Sequence, residues 1–95
     1  MKKSLQTAFE RAATIMGWDI TSKVWNVNED GKLRATVGAT FIQRADTEKP
    51  FYRVVQIVNE GGAEGGIFSL DTFTSAELEA LLRGIAYGAQ NAPKA

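Results

Sequence analysis

Between Lys32 and Arg44 the chain alternates apolar and polar side chains almost without a break. Leu33, Ala35, Val37, Ala39 and Phe41 hold the odd positions; Lys32, Arg34, Thr36, Gly38, Thr40, Ile42 and Arg44 hold the even ones. Successive side chains of a strand point to opposite faces. The spacing therefore predicts one long strand with a buried odd face and a basic, threonine-rich even face.

The segment before it supports a strand by a second route. Asn28-Glu29-Asp30-Gly31-Lys32 carries an Asp-Gly pair between two strand-like runs, a strong hairpin signal in which Gly31 supplies a positive φ. With Asn28 facing Lys32, Val27 falls opposite Leu33, Trp25 opposite Ala35, Asn26 opposite Arg34, Val24 opposite Thr36 and Lys23 opposite Val37. Trp25 and Val27 then join the apolar face, and Asn26 joins the polar one. Agreement of two segments through one turn is better support than either pattern alone.

A third strand is expected over 51–58, Phe-Tyr-Arg-Val-Val-Gln-Ile-Val, from its aromatic and β-branched content. Apolar residues stand at both parities there, as in an interior strand or one with its second face covered. Its register against 32–44 is left open by one residue. A flexible Gly-rich loop is expected over 61–66, leading into a short fourth strand at Ile67–Leu70. Residues 45–50 read as an exposed loop, and 91–95 as a tail.

Two helices flank the strands. Leu5, Ala8, Phe9, Ala12, Ile15 and Met16 form an apolar stripe at steps of three and four, stopped by Gly17. Lys2 and Lys3 oppose the helix dipole at its start. At the other end, Thr74 and Glu77 make a capping box, with Phe73 and Leu78 as a hydrophobic staple. Leu78, Leu81, Leu82, Ile85 and Ala89 form the stripe that follows. Gly84 and Gly88 weaken this helix, which leaves room for a close contact there.

The expected fold is α+β: a two-layer sandwich with a four-stranded antiparallel sheet and the N- and C-terminal helices packed on one face, in the order α-β-β-β-β-α. The 95 residues make a single domain, 1–95. The opposite sheet face is expected to be open and to carry Asn26, Arg34, Thr36, Thr40, Ile42 and Arg44, joined by Tyr52, Val54 and Gln56 if the register holds.

Composition narrows the function classes. The chain has no histidine and no cysteine. It thus lacks the usual general base, the usual soft metal ligand and the most reactive nucleophile. No disulfide can form, which makes the cytosol the default compartment. No apolar run approaches the roughly 20 residues needed to span a bilayer, and the N-terminus lacks a signal-peptide pattern. Lys+Arg and Asp+Glu balance at 11 each. Nucleic-acid binders are usually basic overall, so this balance counts against that class unless charge segregates onto one face.

The local motifs mostly resolve into structure. The Gly61–Gly66 loop has phosphate-cradling composition, but phosphate loops lead into a helix N-terminus and this one leads into a strand. Glu77 is taken up by the capping box, and Glu79, Glu60 and Glu64 offer no second metal ligand at useful spacing. Arg34, Arg44, Arg53, Lys23 and Lys32 with Tyr52, Phe51 and Trp25 have the composition of a strip that stacks bases and pairs phosphates. The hairpin pairing turns Trp25 inward, which weakens that reading.

The layout of residues 51–90, a strand ending Ile67-Phe68-Ser69-Leu70 before the capped helix Ser75–Gln90, resembles the end of the transcriptional-coactivator family of single-stranded-DNA binders. The resemblance implies four antiparallel strands before one helix and a dimer. It is topological, covers under half of the chain and carries no specific motif; the leading helix and the zero net charge depart from it.

The expected function is a small non-enzymatic interaction module that binds another protein, or a second copy of itself as a homodimer, through the open sheet face. Arg34, Thr36, Ile42, Arg44 and Tyr52 are its expected partner-binding residues, since arginine and tyrosine often carry interface energy. The size and lack of chemistry suit an inhibitor or accessory factor of a phage or other mobile element. The alternative is single-stranded nucleic-acid binding on the same face, and a third reading is a small-ligand sequestering protein built around the Gly61–Gly66 loop. No catalytic residue, metal or cofactor is expected, and no membrane contact.

Overall fold

The computed structural model describes residues 2–45, 48–68 and 72–91, with the backbone alone for 90 and 91. Its elements run α1 (Lys3–Met16), β1 (Trp25–Val27), β2 (Leu33–Ala35), β3 (Thr40–Ala45), β4 (Phe51–Ile57), β5 (Glu64–Gly66) and α2 (Ser75–Asn91). The fold is α+β, but the strands form two small antiparallel sheets, β1-β2 and β3-β4-β5, rather than one of four strands.

The single long strand predicted over 32–44 is interrupted. Ala39 donates its N–H to the Thr36 carbonyl at 3.2 Å, closing a turn across Val37 and Gly38. Gly38 has φ 93°, a conformation glycine reaches without a Cβ penalty. That turn separates β2 from β3 and ends the pairing that was to put Lys23 opposite Val37. The rest of the expected hairpin register holds: Trp25 pairs with Ala35, Asn26 with Arg34 and Val27 with Leu33.

β4 is the interior strand its two-sided apolar pattern implied. It pairs with β3 through Arg44–Tyr52, Ile42–Val54 and Phe41–Val55, and with β5 through Val55–Gly66 and Ile57–Glu64. Tyr52, Val54, Val55 and Ile57 are all buried. Even-numbered Tyr52 and Val54, with Ile42 beside them, face the helices and join Leu5, Ala8, Phe9, Ala12, Phe73, Leu78 and Leu82 in the main core. The face expected to be open is therefore the covered one. Odd-numbered Phe41 and Ile57 face away and form a second, smaller cluster with Ala35 and Ala39.

The Gly-rich segment is not a plain flexible loop. Gly62 closes a turn onto the Asn59 carbonyl at 3.1 Å, and the chain then pairs with β4 as β5. The fourth strand was expected later, at 67–70. Ile67 still donates to the Val54 carbonyl at 3.1 Å, while positions 69 and 70 lie outside the described residues. The loop expected at 45–50 and the tail at 91–95 also fall partly outside them.

The helices follow their sequence signals closely. Gly17 ends α1 in the left-handed conformation, φ 73°, donating its N–H to Ala13. Ala13 is buried in place of Ile15 and Met16, which are exposed. Thr74 and Glu77 cap α2 reciprocally: the Thr74 N–H donates to the Glu77 carboxylate at 3.0 Å, and the Glu77 N–H to the Thr74 hydroxyl at 3.2 Å. Phe73 and Leu78 meet in the core as the staple requires. A Cβ at Gly84 or Gly88 would meet nothing within 4 Å, so no close contact explains these glycines. Between α1 and the sheet, Asp19 forms a parallel bridge with Ala39, and its carbonyl accepts the Thr40 N–H at 2.7 Å.

Candidate interaction surface

The five expected partner-binding residues do not share a face. Tyr52 and Ile42 pack into the main core, because β4 and β3 turn their even side to the helices. Arg44 lies at the end of β3 with its guanidinium carbon 6.0 Å from the Tyr52 ring centroid, a cation–π distance. Arg34 belongs to the other sheet, where it is held by Glu60 at 3.1 Å and Asp30 at 3.5 Å. The Thr36 hydroxyl donates to the Lys23 carbonyl at 2.7 Å and accepts from the Asn26 amide at 2.6 Å. Arg34 and Thr36 thus stabilise the hairpin and its junction internally.

The outward side of the three-stranded sheet is similarly self-satisfied. Arg53 on β4 donates to Gln43 on β3 at 2.6 Å and to Glu64 on β5 at 3.2 Å, and Gln43 donates to the same carboxylate at 3.1 Å. This triad ties all three strands together. Arg34 and Arg53 each have an acidic partner, and Tyr52 is buried.

What sequence reasoning placed inside is instead exposed. On the apolar face of the β1–β2 hairpin, Trp25 is 47% exposed, Val27 68% and Leu33 63%. Strand parity puts all three on one side of the ladder. Val37, in the following turn, is exposed as well. The base of this face is anchored. Ala35, opposite Trp25, is buried in the second cluster and donates its N–H to the Glu60 carbonyl at 2.9 Å. The Trp25 ring lies directly on Gly62: a Cβ there would sit 2.6 Å from the Trp25 Cζ2. Gly62 also has φ 90°, so backbone geometry and ring contact both require glycine. The signal for this face was the alternation itself; which alternating faces go uncovered depends on where the helices pack.

Two carboxylates have clear structural duties. Asp19 is held below the ordinary aspartate range by the Ser22 hydroxyl and N–H together with the Thr21 N–H. Glu77 is held below the ordinary glutamate range by the N–H of Thr74 and then its side chain. Among the described residues no group of three acidic, histidine or cysteine side chains is placed to hold a metal ion. No helix among them is long and apolar enough to cross a membrane. No family model, curated protein or solved structure matches this chain.

Proposed function

We propose that this chain is a small non-enzymatic interaction module that docks another protein through the apolar face of the β1–β2 hairpin. The observation that carries the reading is the exposure of Trp25, Val27 and Leu33 together on one side of a two-stranded ladder. Contiguous exposed apolar groups rimmed by polar ones are characteristic of interaction surfaces. Tryptophan is also among the residues that most often dominate binding energy. Resting on Gly62, the Trp25 ring is held in place before a partner arrives, which lowers the ordering cost of association. The hairpin turn beside this face carries charges of both signs, Glu29, Asp30 and Lys32. The lack of histidine and cysteine supports a binding rather than a catalytic role.

The test uses a photo-crosslinking residue placed at Leu33, with a second variant carrying it at exposed Thr14 on α1. In cells of the source organism, the Leu33 position is expected to give a discrete protein adduct that the Thr14 position does not. Trp25→Ala in the purified pair should then weaken binding at least about tenfold, as for a buried aromatic anchor. Adducts that are identical from both positions, or an affinity unmoved by Trp25→Ala, would refute the reading.

A further inference from the structure

The hairpin that carries the exposed face also has an open edge. Among the described residues, β1 has β2 as its one neighbour in the sheet. Along this pair the Asn28 N–H donates to the Lys32 carbonyl at 2.9 Å, and the Thr36 N–H to the Val24 carbonyl at 2.8 Å. Bonded and non-bonded pairs alternate in an antiparallel ladder, so Trp25–Ala35 and Val27–Leu33 are the non-bonded ones. Their backbone N–H and C=O groups point outward from the hairpin.

The fold treats the two outer edges differently. On β2, the Ala35 N–H donates to the Glu60 carbonyl at 2.9 Å. The same 59–62 turn receives the Trp25 ring at Gly62, so it lies along the β2 side. On β1, no backbone hydrogen bond reaches Trp25 or Val27 from outside the hairpin among the described residues. Two donors and two acceptors stand open there. Unpaired edges template the addition of another strand, and Trp25-Asn26-Val27 contains neither the proline nor the charge that usually blunts one.

A second copy of β1 fits this edge in one register. With Trp25 or Val27 on a two-fold axis, only that residue finds its match within the second β1. With Asn26 on the axis, Trp25 faces Val27 of the second copy and Val27 faces its Trp25, and every open group on both edges is bonded. The side chains agree with this register, since an aromatic beside a β-branched residue is a favourable cross-strand pair. So do the charges. Lys23, two residues before β1, comes level with Glu29 of the second copy, two residues beyond its β1, and symmetry repeats this at the other end. Both residues are exposed, and neither makes an ion pair among the described residues.

From this geometry we infer that two copies of the chain associate edge to edge through β1, antiparallel about Asn26, in a four-stranded β2-β1-β1-β2 sheet. The apolar face then continues from Leu33 and Val27 of one copy into Trp25 and Ala35 of the other. The strand is short, so the dimer is weak and concentration-dependent. The inference concerns the edge of the hairpin and holds whether or not its face docks a different protein.

The test is sedimentation equilibrium of the purified full chain alone at low salt, from about 10 µM to about 1 mM, the range of small interfaces. The average mass is expected to rise from one chain toward two. Lys23→Glu, which sets like charges level at both ends, should weaken association about tenfold; Lys23→Glu with Glu29→Lys, which restores opposite charges, should recover it. The register is read separately by Asn26→Cys, in a chain with no other cysteine. Residues meeting on the axis as a non-bonded pair have Cα atoms about 4.5 Å apart, within disulfide range, whereas the two copies of Asn28 lie about 13 Å apart along the strands. Under mild oxidation Asn26→Cys should therefore crosslink at least about tenfold faster than Asn28→Cys. Circular dichroism checks that each variant is folded. A single-chain mass at the highest concentration, a mass that climbs past two chains, a Lys23→Glu variant that associates like wild type, a double variant that does not recover, or equal crosslinking at the two cysteine positions would each overturn the inference.

Discussion

The helix-facing core and the β1–β2 hairpin are built from the same kind of sequence and end in opposite environments. Both show regular apolar spacing. In the core, that spacing is completed by a second layer: Leu78 and Leu82 of α2 and Leu5 and Phe9 of α1 close over Tyr52 and Val54. On the hairpin, Ala35 is buried and Trp25 leans on Gly62, but beyond them Val27 and Leu33 have no covering layer among the described residues. Periodicity therefore marks where an apolar face exists; long-range packing decides whether the chain itself covers it. The uncovered face is the one available to a partner.

Truncation gives the largest contrast between the regions. Leu78→Ala and Leu82→Ala each remove a fully buried side chain and should cost about 2–5 kcal/mol in urea-induced unfolding. Leu33→Ala and Val27→Ala should each change stability by no more than about 0.5 kcal/mol, as exposed sites do. A loss at Leu33 equal to that at Leu78 would erase the distinction.

Gly62→Ala probes the base of the hairpin face. The new Cβ would collide with the Trp25 ring and adopt a left-handed conformation. A cost of about 1–3 kcal/mol is expected, with a change in near-UV circular dichroism as the ring is displaced. Unchanged spectra would mean that the ring is not seated there.

A smaller effect belongs to the α2 cap. Thr74→Ala should cost about 1 kcal/mol. The cap also sets a pH dependence. Glu77 has its folded-state pKa depressed, so its contribution is present above the unfolded-state value and lost as pH falls through the folded-state value. Asp19 acts in the same direction. Stability should thus decline as pH drops through the ordinary carboxylate range and below it. In Glu77→Gln, which removes the titrating carboxylate held by the Thr74 N–H, the Glu77 part of that decline should disappear; acid melts that superimpose in shape on wild type would contradict it.

The smallest change is a gain. At Gly84→Ala the added methyl meets nothing within 4 Å and the helix loses a flexible residue, so about 0.5–1 kcal/mol of added stability is expected. A rise in melting temperature checks it.

How much of this was legible in the sequence follows the range of the interactions. The Gly17 stop, the Thr74–Glu77 box, the Trp25–Ala35 register and the two-sided burial of β4 are all visible in the chain, because each depends on near neighbours or on a strand's own pattern. The turn at Val37-Gly38 was hidden, since both residues also fit the alternation and only the positive φ of Gly38 sets them apart. Placement of the helices on the even face was not legible either. Apolar residues occur on both faces of β4, and the contacts that select one come from α1 and α2, far away in sequence. That choice removed Ile42 and Tyr52 from the candidate surface and left Trp25, Val27 and Leu33 on it. Zero net charge and missing histidine narrowed the chemistry, but composition alone could not show that Arg34 and Arg53 are held by Glu60 and Glu64.

The most direct measurement of the central claim is a paired reading on the Val27→Lys, Leu33→Glu double variant, whose opposite charges face each other across the ladder: its melting temperature, and the protein adduct captured by a photo-crosslinking residue at exposed Val37. With the hairpin face exposed and used for docking, the variant should melt within about 4 °C of wild type, the shift expected for a change of under 1 kcal/mol in a domain this size. The adduct should disappear. A variant that fails to fold, or one that folds and still gives the adduct, would contradict the account.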